Sequence, residues 1–184
     1  IYIMHIYSRG ALAPIGILLA DRNPNLISRL VLASPSSWTD LGGVAEDKLK
    51  RSYNFYRSIF GRLFFQVLES RRAVEFFSNL FLFSNECDQT WLDKAELEFG
   101  KNARPPVQVV NSGMCVSRGL QSKLSALQQP TLIVQGEDDK RQRSEYSKNM
   151  KNCQIVKLSG CLNVCPWSDP AEFTNLLVDW IESN

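Results

Sequence analysis

The sequence predicts an α/β fold: a mostly parallel sheet flanked by helices and interrupted by a long helical insertion. Three observations carry this reading. Ile1–Ile6, Leu30–Ala33, Thr131–Val134 and Gln154–Leu158 are short, near-continuous apolar runs, the composition of strands covered on both faces. Helical patterns separate most of these runs, as connections between parallel strands require. Between the second and third runs, apolar residues recur at helical rather than strand spacing over a long stretch.

Taken in order, Ile1–Ile6 is β-branched and aromatic and reads as a buried strand. Ser8-Arg9-Gly10 turns the chain. Ala11–Ala20, rich in Ala and Leu, reads as a buried helix ending near Asn23-Pro24, with Pro14 expected to kink it or limit its first turns. Leu30–Ala33 is a second strand, closed by a loop at Ser34-Pro35. From Ser36 to Gln129 the character changes. Tyr56, Phe60, Leu63, Phe64, Val67 and Leu68 share one helical face, and Val74, Phe77, Leu80 and Phe81 repeat the pattern. Trp91, Leu92, Ala95, Leu97 and Phe99 suggest a third helix. Eight of the ten phenylalanines lie between Phe55 and Phe83, which concentrates the expected packing of this region in one place. Thr131–Val134 restores the strand pattern and ends in Gly136-Glu137-Asp138-Asp139. Ser144–Met150 reads as a polar helix, Gln154–Leu158 as the last strand, and Ala171–Glu182 as a closing amphipathic helix with Phe173, Leu176, Leu177 and Trp180 on one side. The organisation expected is a core built from residues 1–35 and 130–184, with 36–129 as a helical insertion.

Composition excludes several classes. With 184 residues and 44% hydrophobic content the chain can bury one sizeable core. A net charge of +2, from 21 basic and 19 acidic residues, lacks the basic excess of a nucleic-acid binder. No apolar run approaches the ~20 residues needed to span a bilayer. The single histidine, His5, rules out multi-histidine metal sites, and no cofactor motif is present. Cys87, Cys115, Cys153, Cys161 and Cys165 form no C-x-x-C pair and read as reduced, small hydrophobes in a reducing compartment. The chain opens inside a strand, which suggests that an N-terminal part precedes it.

Three motifs together resemble the α/β-hydrolase family. Ile6-Tyr7-Ser8-Arg9-Gly10, followed by a helix and Leu-Val-Leu-Ala-Ser-Pro, resembles the nucleophile elbow. Pro130-Thr-Leu-Ile-Val-Gln-Gly-Glu-Asp-Asp139 resembles the strand carrying the triad acid. Leu158-Ser-Gly-Cys-Leu-Asn-Val-Cys-Pro-Trp-Ser-Asp-Pro170 resembles the loop that carries the triad histidine. The Phe-rich insertion is similar to the helical caps of cyanobacterial and plastid members, which implies a plastid location. The resemblance covers the whole chain but only the C-terminal part of that fold.

The resemblance implies Ser8 as nucleophile and Asp139 as the acid that orients an imidazole. It places the histidine at Asn163, or at Cys165 in the other register; neither is histidine, and an amide does not titrate in the accessible range. Ile6 stands where the elbow wants a small residue. His5, three residues before Ser8, is expected to point away from the elbow. The ordinary alternatives are a turn serine for Ser8, a strand-end turn or helix-capping acid for Asp139, packing for Cys161 and Cys165, and a solvated helix face for Lys140, Arg141, Arg143, Lys148 and Lys151.

The expectation drawn from these residues is a degenerate, non-catalytic member acting as a structural or interaction subunit, with a protein partner on the Ile1–Ile6 side or on the Phe-rich insertion. One alternative is a serine esterase or lipase-like hydrolase using Ser8 and Asp139. Another is a module that binds a lipid or a small hydrophobic ligand.

Overall fold

The structure, a computed structural model, describes residues 4–102, 104–111, 113–114, 116, 119–141 and 143–183. Its sheet has four parallel strands in the order β1 (Met4–Arg9), β2 (Ile27–Ala33), β3 (Thr131–Gly136) and β4 (Cys153–Leu158). The parallel sheet expected from the four apolar runs is therefore present. The first strand begins at Met4 and continues past Ile6 to Arg9; residues 1–3 lie outside the described residues.

Side chains alternate across the sheet, because successive residues of a strand point to opposite faces. Leu30, Leu32 and Ile133 enter one apolar cluster with Ala13, Ile17 and Ala20 of α1 (Ala13–Arg22), Leu120 and Leu124 of α7 (Leu120–Ala126), and Tyr146 of α8 (Ser144–Asn149). Val31, Ala33, Leu132 and Val134 enter the other, with Cys165 of α9 (Cys165–Ser168) and Phe173 and Trp180 of α10 (Pro170–Ser183). Helices thus cover both faces of β2 and β3. The outer strand β1 is not covered in this way: Met4 and Tyr7 are about half exposed. Pro14 marks the first turn of α1, which begins at Ala13, as expected of a proline that limits the first turns. It sits within the first two helical positions, where a backbone N–H would lack an intrahelical partner anyway.

The chain divides into two compact units, Ile1–Gly43 with Cys115–Asn184, and Val44–Met114. The helical stretch is thus shorter than the expected 36–129. The reason is packing: Leu41, Leu120 and Leu124 are fully buried members of the sheet unit's core.

The second unit contains α2 (Glu46–Arg57), α3 (Ile59–Leu68), α4 (Arg71–Phe81), α5 (Gln89–Asn102) and α6 (Gln108–Asn111). Ser58 caps α3 by accepting from the Gly61 N–H at 3.1 Å, and Ser70 caps α4 through the Ala73 N–H at 3.4 Å. Phe65, Val74, Phe83, Leu92 and Val109 are buried here. Core packing of the whole Phe-rich face is corrected: Ile59 and Phe60 are 75% and 78% exposed, and Leu63, Phe64, Val67, Phe77, Leu80 and Phe81 are exposed too. The helical spacing identified the helices, but α3 turns its Gly61–Phe65 side inward and leaves the longer apolar stripe outside. Among the described residues, no helix is long and apolar enough to cross a membrane.

Candidate active site at the C-terminal edge of the sheet

Parallel α/β sheets hold their chemistry beyond the C-terminal ends of the strands, and the candidate residues gather there. The chain leaves β1 at Gly10, whose φ of 51° lies in the left-handed region that suits glycine. The turn is therefore two residues later than the expected apex at Ser8, and Ile6 stands well before it. Ser8 remains in β1 beside Leu32, and its side chain faces α1. A Cβ placed on Gly16 would lie 2.7 Å from Ser8 Cβ, so α1 rests directly against the serine. Its hydroxyl donates to Leu12 O at 2.7 Å, and the residue is only 9% exposed. The imidazole of His5 is elsewhere, with Nδ1 3.2 Å from Ser28 Oγ.

Asp139 follows β3 by a short turn. Gly136 allows that turn to approach the loop after β4, since a Cβ there would lie 2.0 Å from Cys161 O. The Asp138 N–H donates to the same carbonyl at 3.2 Å. The Asp139 carboxylate is buried and fully engaged. Oδ1 accepts from the Arg141 backbone N–H at 3.1 Å and from Arg141 Nε at 3.0 Å. Oδ2 accepts from Arg141 Nη2 at 2.9 Å and lies 2.8 Å from Arg143 Nη1. Burial pushes this carboxyl up, but the hydrogen bonds from Arg141 and the adjacent Arg143 charge outweigh it and hold it below the usual aspartate range.

Arg143 corrects the expectation of a solvated basic face. Its side chain is fully buried, and Nε donates to Pro35 O at 2.8 Å. The backbone at Ser34, with φ at 46°, turns the chain so that Pro35 O meets Arg143 and Ser36 O accepts from Tyr146 Oη at 2.8 Å. Arg141 stays exposed, its side chain at 43%, while its guanidinium bonds Asp139. Lys140, Lys148 and Lys151 stay exposed as expected.

Asn163 joins this group from the loop after β4. Its Oδ1 accepts from Arg141 Nη2, and its backbone carbonyl accepts from Arg9 Nε and Nη2 at 3.4 and 3.3 Å. Burial lowers the pKa of Arg9, the charged form being the one that loses hydration. Cys165 begins α9 inside the apolar cluster, and burial pushes its thiol up to about 12. Cys165 is thus an inert packing residue at neutral pH; Cys161 is likewise buried, with its thiol pushed up by burial.

The structure brings Asp139 and Asn163 together through Arg141, and ties Asp139 to Arg143 and Asn163 to Arg9. It does not bring Ser8 to them: Arg9 reaches Asn163, whereas the adjacent Ser8 faces α1. Arg9 and Arg143 were missed as site residues. The only sequence signal was their position, one beside Ser8 and the other four residues after Asp139. A separate cleft of about 580 Å³ lies within the helical unit, lined by Tyr56, Arg57, Arg62, Phe65, Glu69 and Arg104 among others. Among the described residues no group of three or more His, Cys, Asp or Glu side chains could hold a metal ion.

No protein-family model matches the chain, and no curated protein matches it either. Solved structures do. A hydrolase from Oleispira antarctica superposes with a TM-score of 0.70 at 16% identity, covering 100% of this chain and 67% of that one. A serine hydrolase involved in carbazole degradation gives 0.68 at 13%, covering 100% and 65%. A thermophilic esterase from Thermogutta terrifontis gives 0.67 at 14%, covering 99% and 65%. The fold is that of the α/β hydrolases. The chain spans 65–67% of the length of these three proteins. The expectation of a non-catalytic structural subunit is corrected by these likenesses, whose proteins are described as hydrolases and an esterase. They lend no support to a plastid-type subclass.

Proposed function

We propose that the chain is a serine-type ester hydrolase, with Ser8 as the attacking hydroxyl and Asp139 as the carboxylate at the end of β3. The observation that carries the reading is the α/β-hydrolase fold, shared with proteins described as hydrolases, with Ser8 near the end of β1 and Asp139 just after β3. In the reaction, Ser8 Oγ bonds to the ester carbonyl carbon, the alkoxide leaves with a proton, and water then releases the acid from Ser8.

Two demands follow from the geometry. Ser8 Oγ must leave Leu12 O before it can attack. The hydroxyl proton must pass to solvent, because the only imidazole in the sequence is bonded to Ser28 and the Asp139 carboxylate is occupied by two arginines. General-base assistance contributes about 10²–10⁴ in rate, so turnover is expected to fall short of a complete triad by that factor. The test is p-nitrophenyl ester hydrolysis together with fluorophosphonate labelling. Labelling at Ser8 and loss of turnover in Ser8→Ala support the reading. Turnover equal in the native chain and in Ser8→Ala overturns it.

A second reading rests on the exposed stripe of Ile59, Phe60, Leu63 and Val67, apolar area of the kind that binds a lipid or small hydrophobic ligand. Ligand extraction and mass spectrometry test it: a stoichiometric apolar compound supports it, and a co-purifying protein partner on that stripe replaces it.

A further inference from the structure

We propose that the C-terminal edge of the sheet binds a small molecule carrying a carboxylate or phosphate group, held by Arg9, Arg141 and Arg143. The site is argued from charge and unmet hydrogen bonding, independently of ester turnover.

The three guanidinium groups form one connected set. Arg9 donates to the Asn163 carbonyl, Arg141 to Asn163 Oδ1 and to Asp139, and Arg143 pairs with Asp139 and donates to Pro35 O. Asp139 is the one carboxylate in this set, so three positive charges face a single negative one. Its negative charge does not repel an incoming anion strongly, because Arg141 and Arg143 already neutralise it. Arg9 meets only a neutral carbonyl in the set and no acid pairs with it among the described residues.

Arg143 supplies the second observation. Its side chain is fully buried, yet among the described residues Nη2 finds no acceptor, and Nη1 lies 2.8 Å from Asp139 Oδ2 without hydrogen-bond alignment. Buried cationic donors are nearly always satisfied, because an unmade bond there forfeits hydration with no return. A ligand oxygen provides the missing acceptor. Guanidinium groups suit such a ligand, since their fixed fork of N–H donors matches the paired oxygens of carboxylate and phosphate. Arg141, half exposed at the margin of the set, marks the side open to solvent.

The test titrates inorganic phosphate and, separately, succinate into the chain at constant ionic strength. Calorimetry gives affinity, and the arginine Nε–H resonances report which side chains respond. Saturable binding that shifts the Arg9, Arg141 and Arg143 signals is expected. Arg141→Gln and Arg9→Gln are each expected to weaken it about tenfold or more, the usual consequence of losing one charged hydrogen bond. Lys148→Gln, an exposed neighbour in sequence, should leave it unchanged. Saturation by phosphate alone identifies a phosphate ligand, by succinate alone a carboxylate, and by both a shared oxyanion site. Arg141→Gln changes a partly exposed side chain, so it carries the test if Arg9→Gln does not fold. No saturation by either ion, or saturation untouched by both arginine variants, overturns the proposal. Ester turnover does not enter the readout, so the two proposals fail separately.

Discussion

The sheet unit and the helical unit treat the same kinds of side chain in opposite ways. In the first, Leu30, Leu32 and Ile133 are fully buried under helices, and even a guanidinium and a carboxylate are taken inside. In the second, Ile59 and Phe60 stand 75% and 78% exposed on a helix whose sequence is at least as apolar. Hydrophobicity therefore does not by itself decide burial here. Helices on two faces of the sheet enclose its strands, whereas α3 and α4 each offer more apolar surface than their neighbours cover.

The contrast can be broken experimentally, and the largest effect belongs to the buried ion pair. Asp139→Asn removes the charge facing a fully buried Arg143, and breaking such a pair costs about 3–5 kcal/mol. Denaturant unfolding should show that loss, and an effect below about 1 kcal/mol would mean that the pair is solvated. Next comes Leu32→Ala in the sheet core, expected to cost about 2–5 kcal/mol through lost burial and the cavity left behind. A pH series sharpens the first result. Asp139 has a depressed folded pKa, so its contribution is complete above the ordinary aspartate value and is lost as pH falls through the folded one. The stability gap between the native chain and Asp139→Asn should hold steady from about pH 5 upward and narrow below about pH 4; a gap that widens in acid would contradict the pairing. The smallest effect is expected at the exposed face: Phe60→Ser should change stability by no more than about 0.5 kcal/mol while reducing self-association in light scattering. A cost like that of Leu32→Ala would show that Phe60 is covered in solution.

Much of the sheet was legible because strands with apolar residues on both faces leave a local imprint. Val31 and Leu132 serve one cluster, Leu30 and Ile133 the other, so neither run could alternate with polar residues. The helix over α10 was legible from its one-sided Phe173, Leu176, Leu177 and Trp180. The candidate site was legible only in part. Asp139 and Asn163 were named only through the family resemblance; in the structure both bond to Arg141. Ser8 was placed at the apex, while the chain turns at Gly10, because a Ser-x-Gly triplet does not reveal which residue takes the left-handed backbone. Arg143 looked like a member of a basic surface run, and nothing local marks it for burial. Its partners are Asp139 and a carbonyl 108 residues away.

The reach of Arg9 to Asn163 bears on the order in which the molecule assembles. The two residues are 154 positions apart, and residues 44–114 lie between the strands that flank the site. Ends separated by so much chain meet late, because loop closure must precede any contact that rewards it. The helical unit depends on near neighbours and can organise before β2 finds β3. Refolding followed by far-ultraviolet circular dichroism should therefore gain helix in an early phase. The environment of Trp180, packed on the completed sheet, should change only in a slower one.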